Sequence, residues 1–352
     1  MLIDTKFWQG KRVLITGHTG FKGSWISLWL NSLGVELLGI ALEPPTYPSL
    51  FVEANISKLM ISEITDIRNL DNISNIFKNF RPEIVIHLAA QPLVIESYKD
   101  PITTYTTNVI GTLNILESAR QTDSVRAIVN VTTDKCYENK EWVWGYRENE
   151  SLGGFDPYSN SKSCSELLTS SYRNSFFSIS NVGLATARAG NVIGGGDWAR
   201  NRLIPDILRS FENNSQIEIR NPLSIRPWQH VLEPLSGYLI LAEKLFNDSI
   251  LYSEGWNFGP NDEDAKSVEW IVNTMIRSWG ASVNWTHTTE EYKHEANYLK
   301  LDISKANNRL DWHPRWALST ALDKIIEWQR AWKNNENMSK FCLQQIEQYN
   351  LS

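Results

Sequence analysis

Arg12-Val13-Leu14-Ile15-Thr16-Gly17-His18-Thr19-Gly20-Phe21-Lys22-Gly23-Ser24-Trp25 decides the fold. Arg12 to Thr16 reads as a short buried strand. Gly17, Gly20 and Gly23 follow at intervals of three. Phe21 to Ser32 then has the length of a helix and is apolar on most sides, as in a helix covered on both faces. In a strand–turn–helix unit, glycines at this spacing let the chain turn tightly, approach a pyrophosphate and pack the helix onto the sheet. The helix N-terminus then faces the phosphate charge. Three glycines alone would make only a tight turn; the order of elements around them implies a nucleotide site.

Outward from this unit, strands are expected at Glu36 to Ala41, Leu59 to Ile64, Ile84 to Leu88, Ala127 to Val131 and Val182 to Ala187. Helical spacing runs from Ile67 to Phe80, with Asp66 as N-cap, from Thr104 to Arg120, and from Tyr158 to Phe176. Strands separated by helices of this length imply parallel βαβ units. The fold class is therefore α/β, a Rossmann-type doubly wound parallel sheet. After Arg188 the rhythm is lost, and Gly190 to Arg202 reads as a loop. Residues 1–187 are expected to form the dinucleotide-binding domain, with segments near 229–260 and 304–330 returning to it. Residues 188–352 form mainly a smaller α/β substrate-binding lobe.

The chain has 352 residues, 42% of them hydrophobic and 21% charged, which suits a globular protein with a sizeable core. A net charge of -6 without long charge runs argues against nucleic acid as a partner. Cys136, Cys164 and Cys342 are odd in number and widely spaced, so three free thiols in a reducing compartment are expected, with no metal site. The start lacks a secretory pattern, and no apolar run approaches the roughly 20 residues that cross a bilayer. A soluble, cytoplasmic protein without a membrane partner is expected.

Tyr158 and Lys162 are four apart in a helical stretch and share a face. Bringing a phenol from a pKa near 10 to about 7 takes roughly 4 kcal/mol. One ammonium about 4 Å away supplies approximately that at an effective dielectric near 20. The pair thus makes a feasible base for a hydroxyl proton. Thr132, Thr133, Asp134 and Lys135 stand at the C-terminal end of the strand ending at Val131, where ligands of open α/β sheets collect. Glu43 is the nearest acid for a ribose hydroxyl, and no arginine beside it would receive a 2′-phosphate, which favours NAD over NADP. Asp66 could meet adenine, cap its helix, or both.

With His87-Leu88-Ala89-Ala90 and Thr107-Asn108-Val109-Ile110-Gly111-Thr112, these motifs resemble the extended short-chain dehydrogenase/reductase family, over essentially the whole chain. The resemblance implies an NAD-dependent enzyme on a nucleotide sugar. Thr133, Tyr158 and Lys162 would be the catalytic set, Thr133 bonding the sugar 4-hydroxyl. Gly17, His18, Thr19, Gly20, Phe21, Lys22, Gly23, Asp66, Ile67, Leu88, Ala89, Ala90 and Asn108 would hold the cofactor. Gln91, Asn191, Arg200, Arg202, Arg226 and Tyr298 would touch substrate, the arginines suiting a diphosphate.

Asp134 and Lys135 choose between members. A 4-epimerase needs no acid beside Thr133, whereas a 4,6-dehydratase must protonate a leaving hydroxyl. Asp134 would be that acid. Lys135 stands where related enzymes look acidic; it would take the C5 proton if burial lowers its pKa, or stabilise the enolate as a cation. Gly17 to Trp29, Asp134 to Tyr146, Arg226 to Pro234 and His294 to Lys300 resemble the branch that dehydrates CDP-glucose. A 4-epimerase, a dehydratase of another nucleotide-hexose and a non-catalytic NAD-sensing regulator are the alternatives. A bulky His18 beside the pyrophosphate is expected to weaken NAD binding, so that His18→Gly tightens it. Trp228 and Tyr298 could wall the nucleotide pocket. Relatives pair the Tyr158 helix and its neighbour into a four-helix bundle, so a homodimer is expected.

Overall fold

The computed structural model describes residues 3–280, 283–288 and 298–352. Seven strands make the central sheet: β1 (Arg12–Thr16), β2 (Glu36–Ala41), β3 (Ile61–Ile64), β4 (Ile84–His87), β5 (Ala127–Val131), β6 (Gly183–Ala189) and β7 (Gly255–Phe258). All pair in parallel, in the order β7-β6-β5-β4-β1-β2-β3. The order reverses between β1 and β4, which opens a crevice at their C-terminal ends.

Alternation along β1 shows why both faces are covered. Val13 and Ile15 join a core with Trp25, Trp29 and Leu239, whereas Leu14 points into a second core with Ile73, Phe77 and Ile115. Helix α1 (Phe21–Ser32) and helix α2 (Leu70–Phe80) thus lie on opposite faces. The side chain of Asn69, not Asp66, caps α2 by accepting from Asn72 N at 3.1 Å. Asp66 instead accepts from Arg68 N at 2.8 Å and pairs with its guanidinium, so the helix starts three residues later than its periodicity suggests. β3 likewise begins at Ile61 rather than Leu59, as an exposed edge strand.

The helical run ending at Arg120 contains a π-helical turn, Thr106–Gly111, followed by α3 (Thr112–Arg120). Helix α4 (Pro157–Ser175) is started by Asp156, which accepts from Ser159 N at 3.0 Å, with Pro157 in the first turn. Helix α5 (Leu203–Asn213), the short strand Ile217–Ile219 and helix α6 (Val268–Trp279) share a third core around Phe211 and Ile271. That core stands beside the sheet as a separate lobe. No described helix is long and apolar enough to cross a membrane.

Candidate active site

A single cleft of about 2050 Å³ runs between the sheet's C-terminal edge and the lobe. Pockets for one small molecule run to about 1,000 Å³, so this one has room for two nucleotides. At its floor, Gly17 has a φ of +79°, and a Cβ there would come within 2.9 Å of Ala89 N. At Gly23 a Cβ would fall 2.0 Å from Gly17 O, so only glycine lets α1 pack on the turn. At Gly20 the nearest obstacle is 3.4 Å away, and this side of the turn opens to the cleft beside the N-terminus of α1. These features fit a dinucleotide pyrophosphate. Thr16 Oγ1 accepts from Leu88 N and Ala89 N at 3.1 and 3.0 Å, fixing the facing wall.

The second wall carries the residues expected to be catalytic. Thr133, Asp134, Lys135, Tyr158 and Lys162 all line the same cleft as Gly20. Thr133 Oγ1 donates to Asp134 Oδ1 at 3.0 Å, and Asp134 is 2% exposed. Burial raises the Asp134 carboxyl above its usual range, against the opposing pull of Lys135 and the Thr133 hydrogen bond. Lys162 Nζ donates to Val131 O at 3.1 Å, and burial pulls this lysine down to about 8. Burial pushes Tyr158 up to about 12, with the Thr133 hydrogen bond opposing and the Asp134 charge adding to the rise. The fall to about 7 expected from one ammonium is therefore not seen in the protein alone: burial dominates, and the cation that opposes it is Arg202.

Of the residues expected at the cofactor, Gly17, Thr19, Gly20, Phe21, Lys22, Gly23, Asp66, Ile67, Leu88, Ala89 and Ala90 line the cleft, as does Glu43. His18 does not. Its ring is fully buried beneath β2, with Nε2 2.7 Å from Ser62 Oγ and its face against Phe51. The side chain was expected beside the pyrophosphate; the turn directs it into the core instead. Asn108 also leaves the cleft. It accepts from Gln91 N at 2.8 Å and donates to Ser161 Oγ at 2.9 Å, bracing a loop against α4. The π turn rotates it there. Gln91 spends its amide on Leu93 and Thr104, away from the expected substrate.

Asn191, Arg200, Arg202 and Arg226 line the lobe side, with Trp228. Arg202 pairs with Asp197 at 2.9 Å. Tyr298 is not among the lining residues; it bridges Ile225 and gives its carbonyl to Asn139 Nδ2 at 3.1 Å. Residues 294–297 of the string His294 to Lys300 lie outside the described residues. Sequence reading missed Glu166 and Arg188, which form a buried pair behind Thr132. Glu166 continues the spacing of Tyr158 and Lys162, a signal that was available.

The family model described as GDP-mannose 4,6 dehydratase matches residues 14–325. The chain belongs to this family. It is 58% identical to the CDP-glucose 4,6-dehydratase of Salmonella typhimurium, across 99% of this chain and 98% of the relative. Identity to the dTDP-glucose 4,6-dehydratase of Haemophilus influenzae is 24%, over 90% of this chain and 97% of that one. Among solved structures, the UDP-glucose 4-epimerase of Thermotoga maritima superposes with a TM-score of 0.80 at 21% identity, covering 91% and 99% of the two chains. The dTDP-glucose 4,6-dehydratase of Bacillus anthracis, solved in complex with NAD, superposes with 0.75 at 20%, covering 94% and 100%.

Proposed function

We propose that this chain is an NAD-dependent lyase that dehydrates CDP-glucose to CDP-4-keto-6-deoxyglucose. The observation that carries the reading is the buried Asp134 carboxyl beside Thr133, in one cleft with Tyr158, Lys162 and the glycine turn. The 58% identity to a CDP-glucose 4,6-dehydratase supports the choice of nucleotide. In this reading residues 1–187, with segments near 229–260 and 304–330, form the cofactor domain and 188–352 mainly the substrate lobe, although Met338, Cys342, Ile346 and Tyr349 near the C-terminus pack into the core that holds Trp25 and Trp29.

The glycine turn, Asp66, Ile67 and Leu88 to Ala90 would hold NAD. When bound, the dinucleotide supplies a hydride acceptor for C4, later a hydride donor for C6, and a cationic ring that favours the phenolate. Thr133 hydrogen-bonds the sugar 4-hydroxyl, and Tyr158 takes its proton as C4 becomes a ketone. Lys162 supplies positive charge to the phenolate. The ketone acidifies C5, whose proton passes to a base while Asp134 protonates the C6 hydroxyl, which leaves as water. The C5 proton is returned as C6 is reduced. Lys135 is half-buried on the same cleft wall, where it would take the C5 proton or stabilise the enolate. Asn191, Arg202 and Arg226 would bind the diphosphate.

A homodimer is part of this reading. Ile102 on the short helix Pro101–Tyr105, Ile110 in the π turn and Leu167 on α4 are exposed by 75%, 44% and 59%, and a second copy would cover them. The odd, scattered thiols support a reducing, cytoplasmic setting.

The test is incubation with NAD and each of CDP-, dTDP-, UDP- and GDP-linked glucose or mannose, followed by product mass. Loss of one water with CDP-glucose alone is expected. A product of unchanged mass but altered stereochemistry would make the chain an epimerase.

A further inference from the structure

Glu166 lies four residues after Lys162 and eight after Tyr158, on one face of α4, and has no part in the chemistry above. It is 3% exposed. One carboxyl oxygen accepts from Thr132 Oγ1 and, at 2.9 Å, from Arg188 Nε. The other accepts from Thr186 Oγ1 and Arg188 Nη2, both at 2.7 Å. Arg188 Nη1 donates to the Tyr137 hydroxyl at 2.7 Å and to Glu148 O at 3.0 Å, and Tyr137 donates to Asn257 Oδ1 at 2.8 Å. One carboxylate thereby joins the helix bearing Tyr158 and Lys162 to the strand end bearing Thr133, and to β6.

Burial alone would push Glu166 up, but the Arg188 guanidinium and the threonine hydroxyls hold it below its usual range, so it stays charged. Its charge matters to Lys162. That ammonium faces Glu166 on its own helix, the Cys136 thiol on the turn after β5, Lys22 on the glycine turn and His87 on β4. Burial keeps Cys136 protonated and His87 neutral, and Lys22 opposes a second cation. Glu166 is the fixed negative charge that favours the Lys162 ammonium.

We propose that Glu166 is a positioning residue for the reaction: its pair with Arg188 sets Thr133 against Tyr158, and its carboxylate keeps Lys162 charged. This rests on the Tyr158–Lys162 reading above.

The experiment compares the pH dependence of CDP-glucose dehydration in the wild type, Glu166→Gln and Glu166→Asp, with thermal melting of each. Wild type without turnover would sink the functional reading itself; everything else bears on Glu166. The ammonium form is lost as pH rises through the Lys162 pKa, so the alkaline limb of kcat reports it. In Glu166→Gln that limb moves down by about one pH unit, a roughly tenfold loss of proton affinity. Glu166→Asp keeps it near the wild-type position. Should Glu166→Gln not fold, Glu166→Gln/Arg188→Gln avoids an unpaired buried charge and shows a smaller shift in the same direction. A Gln or double-variant profile that superimposes on wild type after scaling, or identical profiles for Gln and Asp, would overturn the proposal.

Discussion

Thr133 Oγ1 donates to one oxygen of Asp134 at 3.0 Å, while the other oxygen, Oδ2, is buried and meets no partner among the described residues. A buried, half-satisfied carboxylate is costly, and protonation relieves the cost. Burial raises this carboxyl, which suits the proton-donor role proposed for Asp134 in the cleft that Thr133 also lines.

Asp134→Asn keeps the shape and removes the transferable proton. Reduction of NAD on mixing with CDP-glucose is expected to persist, with water loss slowed by about 10²- to 10⁴-fold. A stopped-flow trace at the NADH absorbance, paired with product mass, separates the two steps. Equal slowing of both would remove Asp134 from the elimination.

Tyr158→Phe removes the hydroxyl proposed as the base. The rapid rise in NADH absorbance is expected to fall by at least about 10²-fold, while CDP-glucose binding changes little. Hydride transfer at the wild-type rate would contradict the role given to the phenol.

The residues expected to be catalytic could be picked out together because they lie on or next to regular elements. Tyr158 and Lys162 fall one helical turn apart, and Thr133 and Asp134 follow directly from the end of β5. Asn108 and Gln91 were misread because side-chain direction there depends on the π turn at Thr106–Gly111, which breaks the rotation that helical spacing assumes. His18 was misread because the motif places its backbone, not its ring; that ring goes where Gly39 leaves space, since a Cβ at Gly39 would sit 2.4 Å from it. Glu166 followed the Tyr158 spacing, but Arg188 becomes its partner only once β5 and β6 pair.

His18→Gly accordingly tests the core rather than the pyrophosphate site. Losing the ring opens a cavity against Phe51 and leaves Ser62 without its bond. A loss of about 2–4 kcal/mol is expected from chemical denaturation. Unchanged stability would return the ring to the cleft.

Acid should destabilise the fold in a particular window. Burial lowers His18 to about 4 and His87 and His230 to about 3. Their stabilisation is complete above the unfolded value near 6.5 and is lost as pH falls through these folded values. Glu233 and Glu243, raised by burial to about 7, act oppositely between their unfolded value near 4.5 and 7. The two sets largely offset each other from pH 6.5 to 4.5, so Tm declines gently there and steeply below 4.5. A Tm that holds or rises between pH 4.5 and 3.5 would contradict this.

The most direct test follows one hydrogen. CDP-glucose carrying deuterium at C4 is turned over with NAD, and the released sugar nucleotide is read by NMR. The account predicts deuterium at C6 of a 4-keto-6-deoxy product, moved within the same molecule. Deuterium retained at C4 in a sugar that has kept its water would contradict it.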